Sequence, residues 1–498
     1  MNVNPITRLD YPDLDVIRVE DTYYMVSTTM HFMPGCEILQ SFDLVHWEHV
    51  TYVYETLDHT DAQQLKSGQN IYGQGMWAAS LRYHEGRFCI CFVANDTCKT
   101  YLYTSEKIDG PWKKQLIEGF YHDGSLLFDE DGRNYIVYGN DEIWITELNE
   151  DLTAPKKDGL HRLLVSDHKN PELGYEGSHI QKINGYYYIF LVHSLRDRWM
   201  RTEACFYSDS LEGEFTGGDV LCDDRGYCGQ GVAQGGIVDT PDGKWYAMLF
   251  QDSGAVGRIP ILLPVTWKDH FPFFGQNGHV PEEIEVHSTR PGYIYQPLVG
   301  SDDFCNGLLP RWQFNHDPDP RYYHLDALQG TYTITTREVC TELTQAVNTL
   351  TQRMSYPSCA AEVTVDASAL KEGDVAGLCA LQSCYAAVGI TKHHGKYEVL
   401  MLDKKEDGIL DMTEGTVVES HQMDFRLEAD FCNMKDEARC YYRVNKGDWL
   451  PIGTVHKLYF KLDHFTGCRF GLFCYAAEET GGSACFRDFK YYDVDEIS

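Results

Sequence analysis

Asn184-Gly185-Tyr186-Tyr187-Tyr188-Ile189 reads as a tight turn that feeds a strand. Gly takes the φ > 0 position, and the aromatic and β-branched residues after it suit a pleated surface. Four other stretches repeat the pattern: Asp21-Thr22-Tyr23-Tyr24-Met25-Val26, Glu85-Gly86-Arg87-Phe88-Cys89-Ile90, Asp131-Gly132-Arg133-Asn134-Tyr135-Ile136 and Asp242-Gly243-Lys244-Trp245-Tyr246-Ala247. The copies lie roughly 45 to 65 residues apart, the range for one blade of a β-propeller. Five copies predict five blades.

A second repeat runs just ahead of the first. Before each turn stands a short polar segment: Asp13-Leu14-Asp15, Met76-Trp77-Ala78-Ala79-Ser80, His122-Asp123-Gly124-Ser125, Glu176-Gly177-Ser178-His179 and Gln234-Gly235-Gly236. The innermost strand of every blade lines the central channel of a propeller. The five segments are therefore expected at one end of that channel, where Asp13, Asp123 and Glu176 would meet. A lone Asp in a turn is usually a turn former, the role expected of Asp15. Recurrence at the equivalent point of different blades sets Asp13, Asp123 and Glu176 apart from it.

Working outward, residues 1–292 hold the repeats and form the expected propeller. The polar insertion from Asp58 to Gly75 is expected to reach over the channel mouth. Pattern is lost around His287-Ser288-Thr289-Arg290-Pro291-Gly292, so 293–301 is read as a linker. From 302 to 498 alternation resumes without the five-fold motif. Strands are expected at Thr331–Thr335, Ala361–Val365, Tyr397–Leu400, Leu458–Leu462 and Phe486–Tyr492, which suggests a β-sandwich. The fold class is all-β: a five-bladed propeller followed by a sandwich.

The chain has 498 residues and a formal net charge of −33, which disfavours nucleic acid, anionic membranes and polyanionic substrates. A neutral ligand is indifferent to that charge, which otherwise serves solubility. The 17 cysteines are odd in number, and several sit in hydrophobic runs such as Phe88-Cys89-Ile90-Cys91-Phe92. They are expected to be free thiols in a reducing compartment. The N-terminus lacks the basic and apolar regions of a leader peptide, which makes the expected location cytoplasmic.

The motifs, in order, resemble glycoside hydrolase family 43, in particular its two-domain β-xylosidases and α-L-arabinofuranosidases. They are Asn4-Pro5-Ile6 with Tyr11-Pro12-Asp13, then Gly75-Met76-Trp77-Ala78, Asp123-Gly124-Ser125-Leu126, Glu176-Gly177-Ser178-His179, Val238-Asp239-Thr240-Pro241-Asp242-Gly243, and Arg258 with Pro264-Val265-Thr266-Trp267. The second half is similar to the concanavalin-like sandwich these enzymes carry. The resemblance implies hydrolysis with inversion. It makes Asp13 the general base, Glu176 the general acid and Asp123 the carboxylate that tunes and orients the acid. It makes Arg258 a substrate contact and Trp77 a wall of the sugar pocket, although core packing explains Trp77 equally well. His31 and Phe32, after the first strand pair, are further candidates for the pocket, with an ordinary loop as the alternative. No cofactor is implied for the chemistry. Leu14 stands where the family often has Pro. Gln234 falls where many members have a His associated with a cation, so calcium is left open, with a water network as the alternative.

An inverting glycosidase needs two carboxyl groups about 6.5–9.5 Å apart, one to protonate the leaving oxygen and one to activate water. The acid must hold its proton near neutral pH, and Asp123 is expected to raise Glu176 for that purpose. The resulting expectation is an exo-acting enzyme that releases a terminal β-D-xylose or α-L-arabinofuranose from neutral oligosaccharides. The alternatives are a non-catalytic carbohydrate-binding propeller and a hydrolase for another glycan. The choice of pentose and assembly as a homo-oligomer stay open.

Overall fold

The computed structural model describes residues 2–413, 415–461 and 464–493. Five four-stranded antiparallel sheets follow one another in the first half. Blade 1 comprises Asp15–Val19, Thr22–Val26, Gly35–Ser41 and Glu48–Tyr54. Blade 2 comprises Met76–His84, Arg87–Ala94, Lys99–Ser105 and Lys113–Ile117, and blade 3 Ser125–Phe128, Asn134–Asn140, Glu142–Leu148 and His161–Ser166. Blade 4 comprises Glu176–Ile183, Tyr186–Ser194, Arg201–Ser208 and Thr216–Leu221. Blade 5 comprises Val232–Asp239, Trp245–Asp252, Arg258–Lys268 and Phe271–Phe274. Each repeated turn joins the first two strands of its blade. Asn184 and Gly185 take φ of 50° and 85°, and Glu85 and Gly86 take 48° and 77°, the two positive values of a tight hairpin turn. The ring closes through a two-stranded clasp in which Asn2–Val3 pairs with Glu283–Ile284.

Side chains fasten the blades to one another, beside isolated backbone pairs such as Met30 with Met76 and Asp141 with Tyr175. The buried Asp15 carboxylate of blade 1 accepts from Leu81 N (2.8 Å) and Arg82 Nη1 (2.7 Å) of blade 2, and lies 3.1 Å from His179 Nδ1 of blade 4. Arg82 also donates to Ser125 Oγ (2.7 Å) and Leu126 O (2.8 Å) of blade 3. Arg18 pairs with Asp239, and Gln181 Nε2 donates to Ile237 O (2.8 Å), which brings in blade 5. Burial would raise the Asp15 carboxyl, but Arg82 and His179 outweigh it and hold it at about 2. The turn-forming role expected of Asp15 is therefore corrected: it is a strut through the channel.

The sandwich stacks a seven-stranded sheet on a nine-stranded one. Four of the five expected strands are present, inside Thr331–Thr335, Ser358–Asp366, Lys396–Lys404 and Ser483–Asp493. The fifth is not: Leu450–Lys457 forms the strand, Leu458–Phe460 lie beyond its end, and Leu462 lies outside the described residues. The nine-stranded sheet takes its edge from the propeller, where Phe32–Met33 pairs with Gln313–Asn315. The insertion from Asp58 to Gly75 also turns to the sandwich and not to the channel mouth. Tyr72 Oη donates to Thr344 O (2.7 Å), Ile71 N to His316 Nε2 (3.0 Å), and Arg337 Nη2 to Gln64 O (2.9 Å).

Replacing Asp15 with Asn leaves the half-buried Arg82 without its counter-charge. The expected loss is about 3–5 kcal/mol, read by urea unfolding at neutral pH. A depressed carboxyl contributes stability that is present above the ordinary Asp pKa of about 3.9 and is lost as pH falls toward about 2. The gap between wild type and variant should close over that window.

Candidate active site

Each inner strand enters the channel through an irregularity. Asp13, Gly75, Asp123, Gly177 and Gln234, one per blade, all have positive φ, from 48° to 85°. Register shifts mark bulges between Met76 and Ala79, Glu176 and His179, and Ala233 and Gly236. A bulge bends its strand and re-aims a side chain, so Trp77 and Gln234 leave the alternation of their strands. Left-handed backbone at a non-glycine residue costs on the order of 1–3 kcal/mol and concentrates at functional sites. At Gly177 the requirement is steric as well: a Cβ would stand 2.7 Å from Gln234 Cγ.

These segments surround a cavity of about 180 Å³ lined by Asp13, Trp77, His122, Asp123, Glu176 and Arg258, with Leu173, Trp199, Arg201, Gln234 and Phe465 completing the wall. The three expected carboxylates are therefore together. Asp13 accepts from Thr28 Oγ1 (2.7 Å), Gln234 Nε2 (3.1 Å) and Arg258 Nη1 (2.5 Å). Asp123 accepts from Gly177 N (2.9 Å), and Glu176 from Asn140 Nδ2 (2.8 Å). His122 Nε2 stands 3.6 Å from Asp123 Oδ2 and 3.6 Å from Glu176 Oε2. Arg258 and Arg201 share the buried Asp252, at 3.2 and 3.1 Å.

The electrostatics differ from the expectation. Burial pushes the Asp123 carboxyl up to about 6 against the charge of His122, helped by Glu176 and Asp13. Burial would raise Glu176 too, but His122, Arg201 and Arg258 outweigh it and hold the carboxyl below its ordinary range. At Glu176 the three cations prevail over burial in this arrangement. His122 itself is lifted to about 9, first by Asp123 and then by Glu176, against its burial.

Gln234 does not offer a cation site. Its carbonyl accepts from Arg201 Nη1 (3.4 Å), its amide donates to Asp13, and its backbone N donates to the buried Glu203 (2.7 Å). Two guanidinium groups already supply positive charge at this point of the channel, so the residues present do not fit calcium. His122, Asp123 and Glu176 each bring one potential ligand atom within 4.8 Å of the others. The neighbouring carboxyls raise His122 and so favour its imidazolium, a form with no lone pair to give.

Residues 3–272 match the family described as "Glycosyl hydrolases family 43", and residues 301–492 match "Beta xylosidase C-terminal Concanavalin A-like domain". The chain belongs to glycosyl hydrolase family 43. It is similar to a "Beta-xylosidase" of Formosa agariphila, 26% identical across 99% of this chain and 89% of that one. It is also similar to a "Xylosidase/arabinosidase 43B" of Humicola insolens, 26% identical across 98% and 96%. A solved structure described as "Bifunctional GH43-CE" from Bacteroides eggerthii superposes with a TM-score of 0.92 at 42% identity; it covers 100% of this chain, which spans 64% of that longer one. The family makes the chain a glycosidase whose chemistry requires no cofactor.

Of the other residues singled out from sequence, Trp77 and Arg258 line the cavity. The indole Nε1–H of Trp77 has no protein partner, and its ring meets Phe465 edge-on at 5.3 Å. The placement of His31 and Phe32 in the pocket is corrected. Both are fully buried at the domain junction, Phe32 in the shared sheet and under Arg469, His31 against Tyr72, His316 and His464. His179 is structural, as read. Sequence reasoning missed His122, Arg201, Trp199 and Phe465. Adjacency to Asp123 was a signal for His122; Phe465, in the other domain, carried none.

Phe465 packs on Trp77 and under Arg258, whose guanidinium lies 4.3 Å from its ring. Phe465→Ala removes one wall of the cavity without touching a carboxylate. Losing such aromatic contacts is worth about 0.5–1.5 kcal/mol, so KM on a pentoside should rise up to roughly tenfold while the pH profile stays in place.

Proposed function

We propose that the chain is an inverting, exo-acting glycosidase that releases a terminal pentose, β-D-xylose or α-L-arabinofuranose, from hemicellulose-derived oligosaccharides. The observation that carries the reading is three carboxylates around a cavity of about 180 Å³, roughly six water volumes at ~30 Å³ each. That is room on the scale of one sugar ring. The names of the relatives, a beta-xylosidase and a xylosidase/arabinosidase, support the sugar class.

In this reading Asp13 is the general base. Thr28, Gln234 and Arg258 all donate to its carboxyl group and fix it in place, so that it takes a proton from the attacking water. Glu176 protonates the leaving oxygen. Asp123, on the neighbouring blade, orients the segment that carries Glu176 through its hydrogen bond from Gly177 N. Arg258 and the free indole N–H of Trp77 are donors for sugar hydroxyls. Each proton-transfer role contributes about 10²–10⁴-fold in rate. The 17 free cysteines support a reducing compartment as the place of work; cell fractionation finding the protein outside the cell would overturn that part.

The test is turnover of 4-nitrophenyl β-D-xyloside and α-L-arabinofuranoside by wild type, Asp13→Ala and Glu176→Ala. At least one substrate should turn over, both variants should lose 10²-fold or more, and NMR of the first product should show the inverted anomer. A wild type inert on both pentosides and on xylo- and arabino-oligosaccharides removes the proposal. Binding of such oligosaccharides without turnover would favour the carbohydrate-binding alternative.

A further inference from the structure

The chemistry above leaves one titratable group of the cavity without a task. His122 lines the wall beside Asp123 and Glu176, yet its Nε2 makes no hydrogen bond. It is equidistant, at 3.6 Å, from one oxygen of each carboxyl. We propose that His122 holds the proton that Glu176 delivers, so that the acid of the reaction is a His122–Glu176 pair sharing one proton. This rests on the assignment of Glu176 as the general acid.

The groups that face His122 bear this out. Asp123, Glu176 and Asp13 are the anions, and Asp123 and Glu176 make the strongest claims on its proton. Trp77 covers the ring edge-on at 6.0 Å. Across the cavity Arg201 and Arg258 lower Glu176, and Asn140 donates to the same Oε2 that faces His122. In the open site these neighbours favour a charged pair, imidazolium beside carboxylate. Both side chains retain some water, being 21% and 18% exposed.

A neutral sugar filling the cavity expels that water. Desolvation penalises the charged form of both partners, and a neutral imidazole beside a neutral carboxylic acid is then the less costly state. The Nε2–H bond breaks and an Oε2–H bond forms on Glu176. Glu176 gives this proton to the leaving glycosidic oxygen as the C–O bond breaks, and Asp13 takes one from the attacking water. After product release Asp13 returns its proton to solvent and His122 takes one up, so the cycle consumes only water.

Two roles for His122 predict opposite signs. A positive charge that merely lowers Glu176 would, when removed, let the Glu176 carboxyl rise, and activity would extend to higher pH. A proton holder would, when removed, leave Glu176 to keep the proton alone on a carboxyl that Arg201 and Arg258 still draw down, and activity would retreat to lower pH. The experiment is the pH dependence of kcat/KM for wild type and His122→Asn on 4-nitrophenyl and 2,4-dinitrophenyl pentosides. A ¹³C/¹⁵N titration of the wild-type imidazole, identified by its absence in His122→Asn and independently in His122→Gln, runs beside it. The expected result is an alkaline limb displaced downward by at least one pH unit in the variant. The loss should be larger for the 4-nitrophenyl substrate, whose leaving group needs the proton more, and the wild-type imidazole should titrate well above 7. A limb that stays or moves upward, or an imidazole that titrates below 7 even where the variant fails to fold, overturns the inference while leaving the glycosidase reading intact. A wild type inert on every pentoside overturns both.

Discussion

Three carboxylates in one small cavity repel one another, and the structure depends on how that repulsion is balanced. Two unit charges 4 Å apart interact by about 4 kcal/mol at the effective dielectric of a protein surface. The balance comes from Arg258, Arg201 and His122, and its asymmetry gives each acid a different character. Arg258 is committed to Asp13, and with Arg201 it also draws on Asp252. His122 stands between the other two carboxyls. The result is one carboxylate gripped by three donors and two that share one imidazole neighbour.

The balance reaches beyond the propeller. Asp10 accepts from the backbone N of Arg258 (2.7 Å) and of Gly467 (2.8 Å), so one buried carboxylate fixes both the strand that opens with Arg258 and the sandwich loop that carries Phe465. A Cβ at Gly257 would stand 2.1 Å from Asp10 Oδ1, which is why glycine precedes the arginine. Nearby, Glu37 of blade 1 pairs with Arg353 of the sandwich at 2.8 Å, and Arg353 Nε donates to Asp10 O. Buried pairs of this kind add little net stability compared with an apolar interface, yet breaking one is costly, which favours a single relative placement of the two domains. The sandwich thereby supplies a wall of the cavity.

Much of this was legible from residue order, because repetition exposes equivalent positions. The five turn motifs predicted blade number and strand starts, and the polar segments ahead of them placed Asp13, Asp123 and Glu176 together. The errors have a common origin. Polar and aromatic loops near a channel suggest a ligand, which makes His31 and Phe32 candidates for the pocket and the Asp58–Gly75 insertion a candidate cover for the channel mouth; both instead meet the sandwich. Asp15 looked like a turn former because nothing local shows that Arg82 and His179, from two other blades, converge on it.

Sequence alone determined the architecture and the identity of the three acids, because hydrophobic alternation, turn glycines and spacing are local signals repeated five times over. It could not determine what surrounds those acids. Which of them is raised and which lowered depends on His122, Arg201 and Arg258 across the channel and on burial that no single blade provides. The contribution of Phe465, hundreds of residues from Trp77 in the chain, arises only when a second domain packs against the first. Electrostatic potential and cavity shape are sums over space, and only the tertiary structure carries out that sum.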